Sequence, residues 1–132
     1  MFESGFPSGA TPLLQAATYG DKAAIEKLLD QGVDIHEYDG ELTTSLHYAV
    51  YNDEIEVVEL LLKEGANPND SGNYSTALTA SLTQISYSID MLLLSFAADP
   101  KEIVPNRVSA LSYIGVNTVD EFEVLLMEMY SQ

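Results

Sequence analysis

The 132-residue sequence has no cysteine, no tryptophan and only five basic side chains. Without cysteine, the chain has no disulfide, no thiolate metal site and no cysteine nucleophile. No segment approaches the roughly 20 consecutive apolar residues of a membrane-spanning helix, and residues 1–9 lack the basic start and apolar core of a secretory signal. A cytoplasmic protein is the simplest expectation.

Negative charge dominates the composition of the chain. Twenty-one acidic residues against five basic ones give a formal net charge of −16, and 14 of the acids lie in residues 1–70. Such a surface repels nucleic acid and anionic membranes and speeds encounter with basic proteins. We therefore expect neither nucleic acid nor membrane as a partner. A plainer alternative is that the acidity only keeps the protein soluble.

Residues 44–69 carry two apolar stripes with helical spacing. Leu46, Ala49 and Val50 make the first stripe, and Ile55, Val58, Leu61 and Leu62 make the second. Two short helices packed as a hairpin fit this spacing. Gly65 is placed to end the second helix in a left-handed conformation, and Pro68 prevents the helix from continuing.

The same pattern recurs along the chain. Thr11 precedes Thr44 by 33 residues, and Gly32 precedes Gly65 by the same 33. Further copies are Thr76-Ala77-Leu78 with Leu92-Leu93-Leu94, and Ser109-Ala110-Leu111 with Leu125-Leu126-Met127. These last two are degenerate: Ser81 stands where the first helix of the pair favours a small buried alanine. Ala97 stands where glycine would make a left-handed cap easier.

The motifs resemble ankyrin repeats: Thr44-Ser45-Leu46-His47 opens the unit, Val57 to Leu62 forms its second helix, and Gly65-Ala66-Asn67-Pro68-Asn69 leads into the next. The resemblance implies an all-α solenoid of stacked helix pairs with short β-hairpin fingers. We expect one domain over residues 1–132, with repeats at 9–41, 42–74, 75–106 and 107–132. The resemblance also implies that the His47 ring braces a finger, while Thr44 caps the helix.

Ankyrin-like proteins usually bind partners through the fingers and the exposed face of the first, inner helix of each pair. Tyrosine and carboxylate side chains are interleaved on the corresponding segments here, around an Asp39-Gly40 pair that suits a tight hairpin turn. Tyrosine gives large contact area at little entropic cost. The candidate partner-binding residues are Tyr19, Asp21, Glu37, Tyr38, Asp39, Glu41, Tyr48, Tyr51, Asp53, Glu54, Asp70 and Tyr74. The alternative for Tyr48 and Tyr51 is ordinary packing at the core edge.

No residues suggest catalysis, a metal or a cofactor. The sequence contains neither a phosphate-binding glycine loop nor a nucleophile elbow, and His36 on a finger is a weak metal ligand by itself. Two functions of different kinds remain. The favoured one is a non-catalytic inhibitor of a basic protein, similar to immunity proteins or antitoxins that neutralise a toxin such as a nuclease. The alternative is a general ankyrin adaptor that selects its partner by shape and apolar contact.

The C-terminal helix, expected over Val119 to Tyr130, has one apolar stripe facing the preceding repeat: Phe122, Leu125, Leu126 and Met129. Val124 and Met127 fall roughly opposite that stripe, among carboxylates, and we expect both to be exposed. A monomer is the favoured expectation, and a homodimer or partner contact through these two side chains is the alternative.

Overall fold

The computed structural model describes residues 11–40, 42–70, 76–84, 86–101, 110 and 118–130. Seven helices occur there: α1 (Pro12–Tyr19), α2 (Lys22–Asp30), α3 (Ser45–Tyr51), α4 (Ile55–Lys63), α5 (Ala77–Thr83), α6 (Tyr87–Ser95) and α7 (Val119–Tyr130). Successive helices pair as α1 with α2, α3 with α4 and α5 with α6. The inner helices α1, α3 and α5 contact one another in order, and so do the outer helices α2, α4 and α6. The all-α stack of helix pairs is confirmed.

Extended structure is limited to one antiparallel bridge between Tyr38 and Thr44 in these segments. It closes the first finger, just before α3. None of the helices in the described segments is long and apolar enough to cross a bilayer. The expected inner helix of the fourth repeat falls mostly on residues 111–117, which lie outside the described residues.

A threonine begins each inner helix of the first three repeats. Thr11, Thr44 and Thr76 have extended backbones, and their hydroxyl oxygens accept the first free helical N–H groups, as far as 3.4 Å away at Thr11. Such a cap stabilises a helix by about 1 kcal/mol. In the second repeat, Thr44 Oγ1 also lies 2.8 Å from Nδ1 of the buried His47 ring. The predicted structural role of His47 beside the Thr44 cap is therefore confirmed.

Each outer helix of the first three repeats ends in a left-handed residue. Gly32 and Gly65 have φ of 94° and 100°, and Ala97 has φ of 70° at the third such position. The next backbone N–H reaches back to the last turn each time, as in the 2.9 Å bond from Ala66 N to Leu61 O. Ala97 therefore adopts the left-handed conformation that the sequence pattern requires at this position, although alanine adopts it less easily than glycine.

The apolar core follows the predicted stripes with one correction. Leu46, Ala49, Val50, Val58, Leu61 and Leu62 are buried, but Ile55 is 39% exposed. Val57, which the stripe omitted, is 1% exposed instead. Ile55 is the first residue of α4, and Val57 lies about half a helical turn further on, on a different side of the helix.

The third repeat buries two polar side chains where the second buries aliphatic ones. Ser81 takes the position of Ala49, as expected, and Asp90 takes the position of Val58 one repeat of 32 residues later. All four side chains have no solvent exposure. The Ser81 hydroxyl donates to Asp90 Oδ1, and its oxygen also lies 2.9 Å from Leu78 O.

The last helix has the predicted orientation. Phe122 and Leu126 on α7 are buried and Leu125 is half-buried, while Val124 and Met127 are 59% and 68% exposed. The prediction that the last two would be exposed is confirmed. The fourth member of the predicted stripe, the Met129 side chain, lies outside what the structure describes.

Candidate functional site

The first finger closes by a wider turn than the Asp39-Gly40 pair predicts. Asp39 N donates to Thr43 O at 3.2 Å, and Leu42 N donates to Asp39 O at 3.0 Å. Leu42 supplies the left-handed residue, with φ of 61°. Asp39, Leu42 and Thr43 therefore make the closing contacts of the finger, and Leu42 carries conformational strain that a glycine would avoid.

Two predicted binding carboxylates instead hold this finger to the helices. Asp39 is only 4% exposed, and it accepts hydrogen bonds from Thr43 N at 3.1 Å and from the Tyr48 hydroxyl at 2.5 Å. Glu37 accepts a hydrogen bond from the Thr11 hydroxyl at the start of α1. Asp39 and the half-buried Tyr48 are thus internal contacts, which corrects their assignment to an open surface. For Tyr48, this is the core-edge alternative.

Tyr38 is the side chain that the braced finger displays, at 57% exposure. Its backbone forms the antiparallel bridge to Thr44, just before α3. Asp34, also exposed, begins the same segment and accepts a hydrogen bond from His36 N at 2.9 Å. Glu41 and Tyr74, two further predicted finger residues, lie outside the described residues.

Five predicted residues meet at the opposite ends of the inner helices. Tyr19 ends α1 and Asp21 lies in the turn to α2, while Tyr51 ends α3 and Asp53 and Glu54 lie in the turn to α4. The Glu54 carboxylate lies directly over Gly20, because a Cβ at Gly20 would be 2.7 Å from Glu54 Cδ. The two turns are therefore adjacent.

The turn from α5 to α6 continues this row. Gln84 Nε2 donates to Tyr51 O at 2.8 Å, and Ser86 Oγ donates to Asp53 Oδ1 at 3.1 Å. Three successive turns thus touch edge to edge. We name this row the turn surface, and its members are Tyr19, Asp21, Tyr51, Asp53, Glu54, Gln84 and Ser86.

The turn surface displays both tyrosine and negative charge. Tyr19 is 62% exposed at the end of α1, and Tyr51 is exposed beside the buried His47 ring, with ring centroids 6.2 Å apart. Asp21 is exposed although it caps α2 by accepting from Ala24 N at 3.1 Å. Asp53 is exposed and left-handed, with φ of 56°, a conformation that aspartate tolerates better than most residues.

Sequence reasoning missed Gln84 and Ser86. Each lies 33 residues after its partner, Tyr51 or Asp53, which is within one residue of the 32-residue offset between the second and third repeats. The period therefore shows that these turns are neighbours, although it does not show which side chains bond.

The second finger is joined to the third in a similar way. The Asn69 side chain donates to Ala97 O at 3.1 Å and accepts from Asp99 N at 2.6 Å. Asp70, the remaining predicted residue, is half-buried, and its N–H donates to Asn67 O at 3.3 Å. Asn69 was not predicted as a site residue and serves here to connect repeats.

The described residues contain no group of three or more His, Asp or Glu side chains placed to hold a metal ion. His36 is exposed on the first finger. The ion pair among these segments is the 3.2 Å contact between Lys63 and Glu59, one turn apart on α4 as their spacing suggests.

Comparison with known proteins places these repeats in a family. The family model described as ankyrin repeats (3 copies) matches residues 2–72. The chain is 33% identical over 118 residues, or 88% of its length, to the ankyrin repeat and KH domain-containing protein mask-1 of Caenorhabditis elegans. It is 29% identical over 91 residues, 67% of its length, to palmitoyltransferase Hip14 of Drosophila melanogaster. It is 32% identical over 96 residues, 70% of its length, to glycerophosphocholine phosphodiesterase gde1 of Schizosaccharomyces pombe.

These relatives are much larger proteins. The matched stretch spans 4% of mask-1, 14% of Hip14 and 8% of gde1. What the three share with the chain is therefore a repeat segment, and the names of the whole proteins describe those proteins. Repeat stacks of this kind present extended surfaces to other proteins. The chain belongs to the ankyrin-repeat family and is a protein-interaction module.

Proposed function

We propose that the chain is a non-catalytic inhibitor that binds a basic protein through the turn surface and the tip of the first finger. The binding unit is a single copy of the chain. By analogy of charge and size, the partner is a cytoplasmic toxin such as a nuclease, whose own substrate is anionic. The inhibitor would occupy the basic surface that the substrate needs.

One observation carries this proposal: exposed tyrosines stand beside exposed carboxylates on turns that touch one another. Tyr19 with Asp21 and Tyr51 with Asp53 repeat the same pairing on neighbouring turns. An aromatic side chain supplies an anchor at an interface, and a neighbouring carboxylate selects lysine or arginine. The contacts through Gly20 and Ser86 hold the turns together before binding, which lowers the entropic cost of association.

The net charge of −16 supports the same partner. A field of one sign accelerates diffusional encounter with a basic protein, and this acceleration decreases as salt shortens the Debye length from about 10 Å at 0.1 M to about 3 Å at 1 M. An interface formed by shape and apolar contact would change little over that range.

The proposal is tested in two steps. The immobilised chain is first used at low salt to retrieve partners from its source, and the retained protein is expected to be basic and to lose its activity as the chain is added in equal amount. Association is then followed at increasing salt. A neutral or acidic partner, or an association rate that does not change with salt concentration, would contradict the proposal.

Removing or reversing charge then locates the binding surface. Asp21→Asn, Asp34→Lys and Asp53→Lys remove exposed carboxylates near the proposed contacts and should slow association by about tenfold or more. The matched control changes Glu26→Lys, Glu64→Lys and Asp30→Asn, which line the groove between α2 and α4 on the outer helices. It alters net charge equally and should slow association much less.

The general adaptor has one observation in its favour. Glu37 and Asp39 are engaged within the chain, so part of the acidity serves the fold. If both charge-altered variants bind at the original rate, the carboxylates serve folding and solubility, and the adaptor is the better description.

A further inference from the structure

The first finger contains the one Asp-Gly pair of the sequence, Asp39-Gly40, and the sequence has no Asn-Gly pair. At an Asp-Gly pair, the backbone nitrogen of the glycine can attack the carboxyl carbon of the aspartate and close a five-membered succinimide ring. Glycine favours this attack because it has no side chain to obstruct the approach. The pair is therefore the position in this chain where a side chain most readily reacts with the backbone.

The rearrangement needs no oxidant and no cofactor. Ring closure forms a bond between Gly40 N and Asp39 Cγ, and it releases one carboxyl oxygen, the Gly40 amide proton and a second proton together as water. Water then adds to the ring and breaks one of its two C–N bonds. Breaking the new bond restores aspartate. Breaking the bond to the main-chain carbonyl carbon of Asp39 leaves the peptide running through Cγ, which is isoaspartate, with the carboxylate now attached to Cα.

In the folded finger, Asp39 is held against this reaction. Its side-chain oxygens accept hydrogen bonds from Thr43 N at 3.1 Å and from the Tyr48 hydroxyl at 2.5 Å. Its backbone N–H donates to Thr43 O at 3.2 Å, and its carbonyl accepts from Leu42 N at 3.0 Å. We call the two side-chain contacts the brace. Ring closure has to turn the carboxyl carbon towards Gly40 N, and this movement breaks the brace.

The two reacting residues lie in different surroundings. Asp39 is 4% exposed, whereas Gly40 is exposed. The attacking nitrogen and the water that opens the ring are thus at the surface, and the buried carboxyl group is the reactant that the fold withholds. Local openings of a few contacts occur in folded proteins without global unfolding. The frequency with which the brace opens therefore sets the rate of the reaction.

We propose that Asp39-Gly40 is a covalent modification site under the control of the brace, so that opening of the first finger lets Asp39 become isoaspartate. The modified finger cannot remake the brace, because its carboxylate is attached to Cα and no longer reaches both Thr43 N and the Tyr48 hydroxyl. A reversible opening is thereby converted into a lasting change of the finger.

The rate is measured on the full chain, kept folded at neutral pH and body temperature. Isoaspartate at position 39 is counted by peptide mapping after proteolytic digestion. An isoaspartyl methyltransferase, which moves the methyl group of S-adenosylmethionine onto such a carboxylate, gives an independent count. The chain unfolded in urea supplies the unrestrained rate. The folded chain should isomerise more slowly by about tenfold or more, which corresponds to an opening free energy of at least about 1.4 kcal/mol.

Tyr48→Phe tests the brace directly. It removes one of the two contacts and should speed isomerisation about fivefold or more, the factor that corresponds to a hydrogen bond of about 1 kcal/mol. Hydrogen exchange at the Thr43 amide should rise by the same factor, because both processes need the same opening. The matched control, Tyr38→Phe, removes a hydroxyl from an exposed ring on the same finger and should change neither rate.

Gly40→Ala in the Tyr48→Phe background tests the chemical route. Gly40 is exposed and is not left-handed, so the backbone accepts an alanine. The added methyl group obstructs the attacking nitrogen, and the amount of isoaspartate should fall although the finger still opens. Fast exchange at the Thr43 amide should therefore persist in this double variant.

Two further measurements need no substitution. Urea below the unfolding transition opens the finger of the original chain progressively, and exchange at the Thr43 amide and isomerisation at Asp39 should rise in parallel. The isoaspartyl form of the original chain is then purified. It should keep its helical circular dichroism and exchange the Thr43 amide quickly, even with Tyr48 in place.

Three results would overturn the proposal. The first is a folded chain that isomerises as fast as the chain unfolded in urea. The second is isomerisation at Asp39 that does not follow Thr43 exchange, either in Tyr48→Phe or with increasing urea. The third is an isoaspartyl chain whose Thr43 amide stays as protected as in the original, which would show that the modified finger closes normally.

Discussion

The Ser81 hydroxyl donates a hydrogen bond to the Asp90 carboxylate, and neither side chain is exposed to solvent. The pair joins α5 to α6 at the positions that the buried Ala49 and Val58 occupy in the second repeat. Burying a carboxylate is costly unless it is hydrogen-bonded. Ser81 departs from the repeat pattern, but its hydroxyl supplies a hydrogen bond that the buried Asp90 carboxylate needs.

Ser81→Ala should consequently destabilise the third repeat by about 1 to 3 kcal/mol, because it removes a donor from a buried carboxylate. Asp90→Val together with Ser81→Ala restores the apolar pairing of the second repeat. The double variant should lose less stability than the sum of the single changes, with a coupling of about 0.5 to 3 kcal/mol. Urea unfolding of the original chain, the two single variants and the double variant measures this coupling.

Thr83→Ala is the matched control for that cycle. Thr83 also carries a hydroxyl on α5, but it is exposed and bonds only to Ala80 O, at 2.6 Å, among the contacts described. It should show no coupling with Asp90. Additive losses at Ser81 and Asp90 would mean that their hydrogen bond contributes nothing to stability.

Ala97→Gly should stabilise the chain by about 1 kcal/mol, because a left-handed conformation costs a residue with a Cβ about 1 to 2 kcal/mol and glycine gains chain entropy on unfolding. The measurement is the shift in the unfolding midpoint at unchanged m-value. The reverse change, Gly65→Ala, should lose a similar amount, since a Cβ at Gly65 meets nothing within 4 Å. An unchanged unfolding midpoint after Ala97→Gly would show that the left-handed conformation of Ala97 does not destabilise the chain.

Gly20→Ala should cost more than Gly65→Ala. Both glycines are left-handed, with φ of 73° and 100°, but only at Gly20 would the new methyl group collide with the Glu54 carboxylate. Glu54→Ala should therefore remove the excess cost and leave the conformational part, about 1 kcal/mol. If the two glycine substitutions cost the same with Glu54 present, the side chain moves aside freely and the first two turns are not held together there.

Tyr48→Phe tests whether the first finger is braced. The change deletes one hydroxyl that donates to buried Asp39, so it should cost about 1 to 3 kcal/mol and speed hydrogen exchange at the Thr43 amide, which donates to the same carboxylate. Tyr38→Phe, at an exposed ring on the same finger, should change neither quantity. Unchanged exchange at Thr43 in the Tyr48 variant would show that the finger holds its shape without the brace.

The sequence predicts the fold well because the features that define each repeat depend on residues close together in the chain. Threonine caps, the His47 position and the left-handed Gly65 depend on residues three to five apart, and the structure has each of them. The division into four repeats stays a prediction, since much of the fourth lies outside the described residues.

The candidate site is less predictable for a physical reason. A carboxylate on a finger looks the same in sequence whether it faces solvent or bonds across repeats. Asp39 and Tyr48 are nine residues apart, and Thr11 and Glu37 are 26 apart. Only the packing of the finger against the helices shows that these pairs meet, and this removes Asp39 from the open surface.

The turn surface also has a regular spacing between its successive turns. Packed helices lie about 8 to 10 Å apart, so successive turns of the turn surface recur at about that interval. A peptide in the polyproline II conformation advances about 3.1 Å per residue with three residues per turn, so every third side chain lies on the same face. A segment lying straight along the row would therefore bring every third side chain to a new turn, and a partner with lysine or arginine at that interval would meet Asp21 and Asp53 in step.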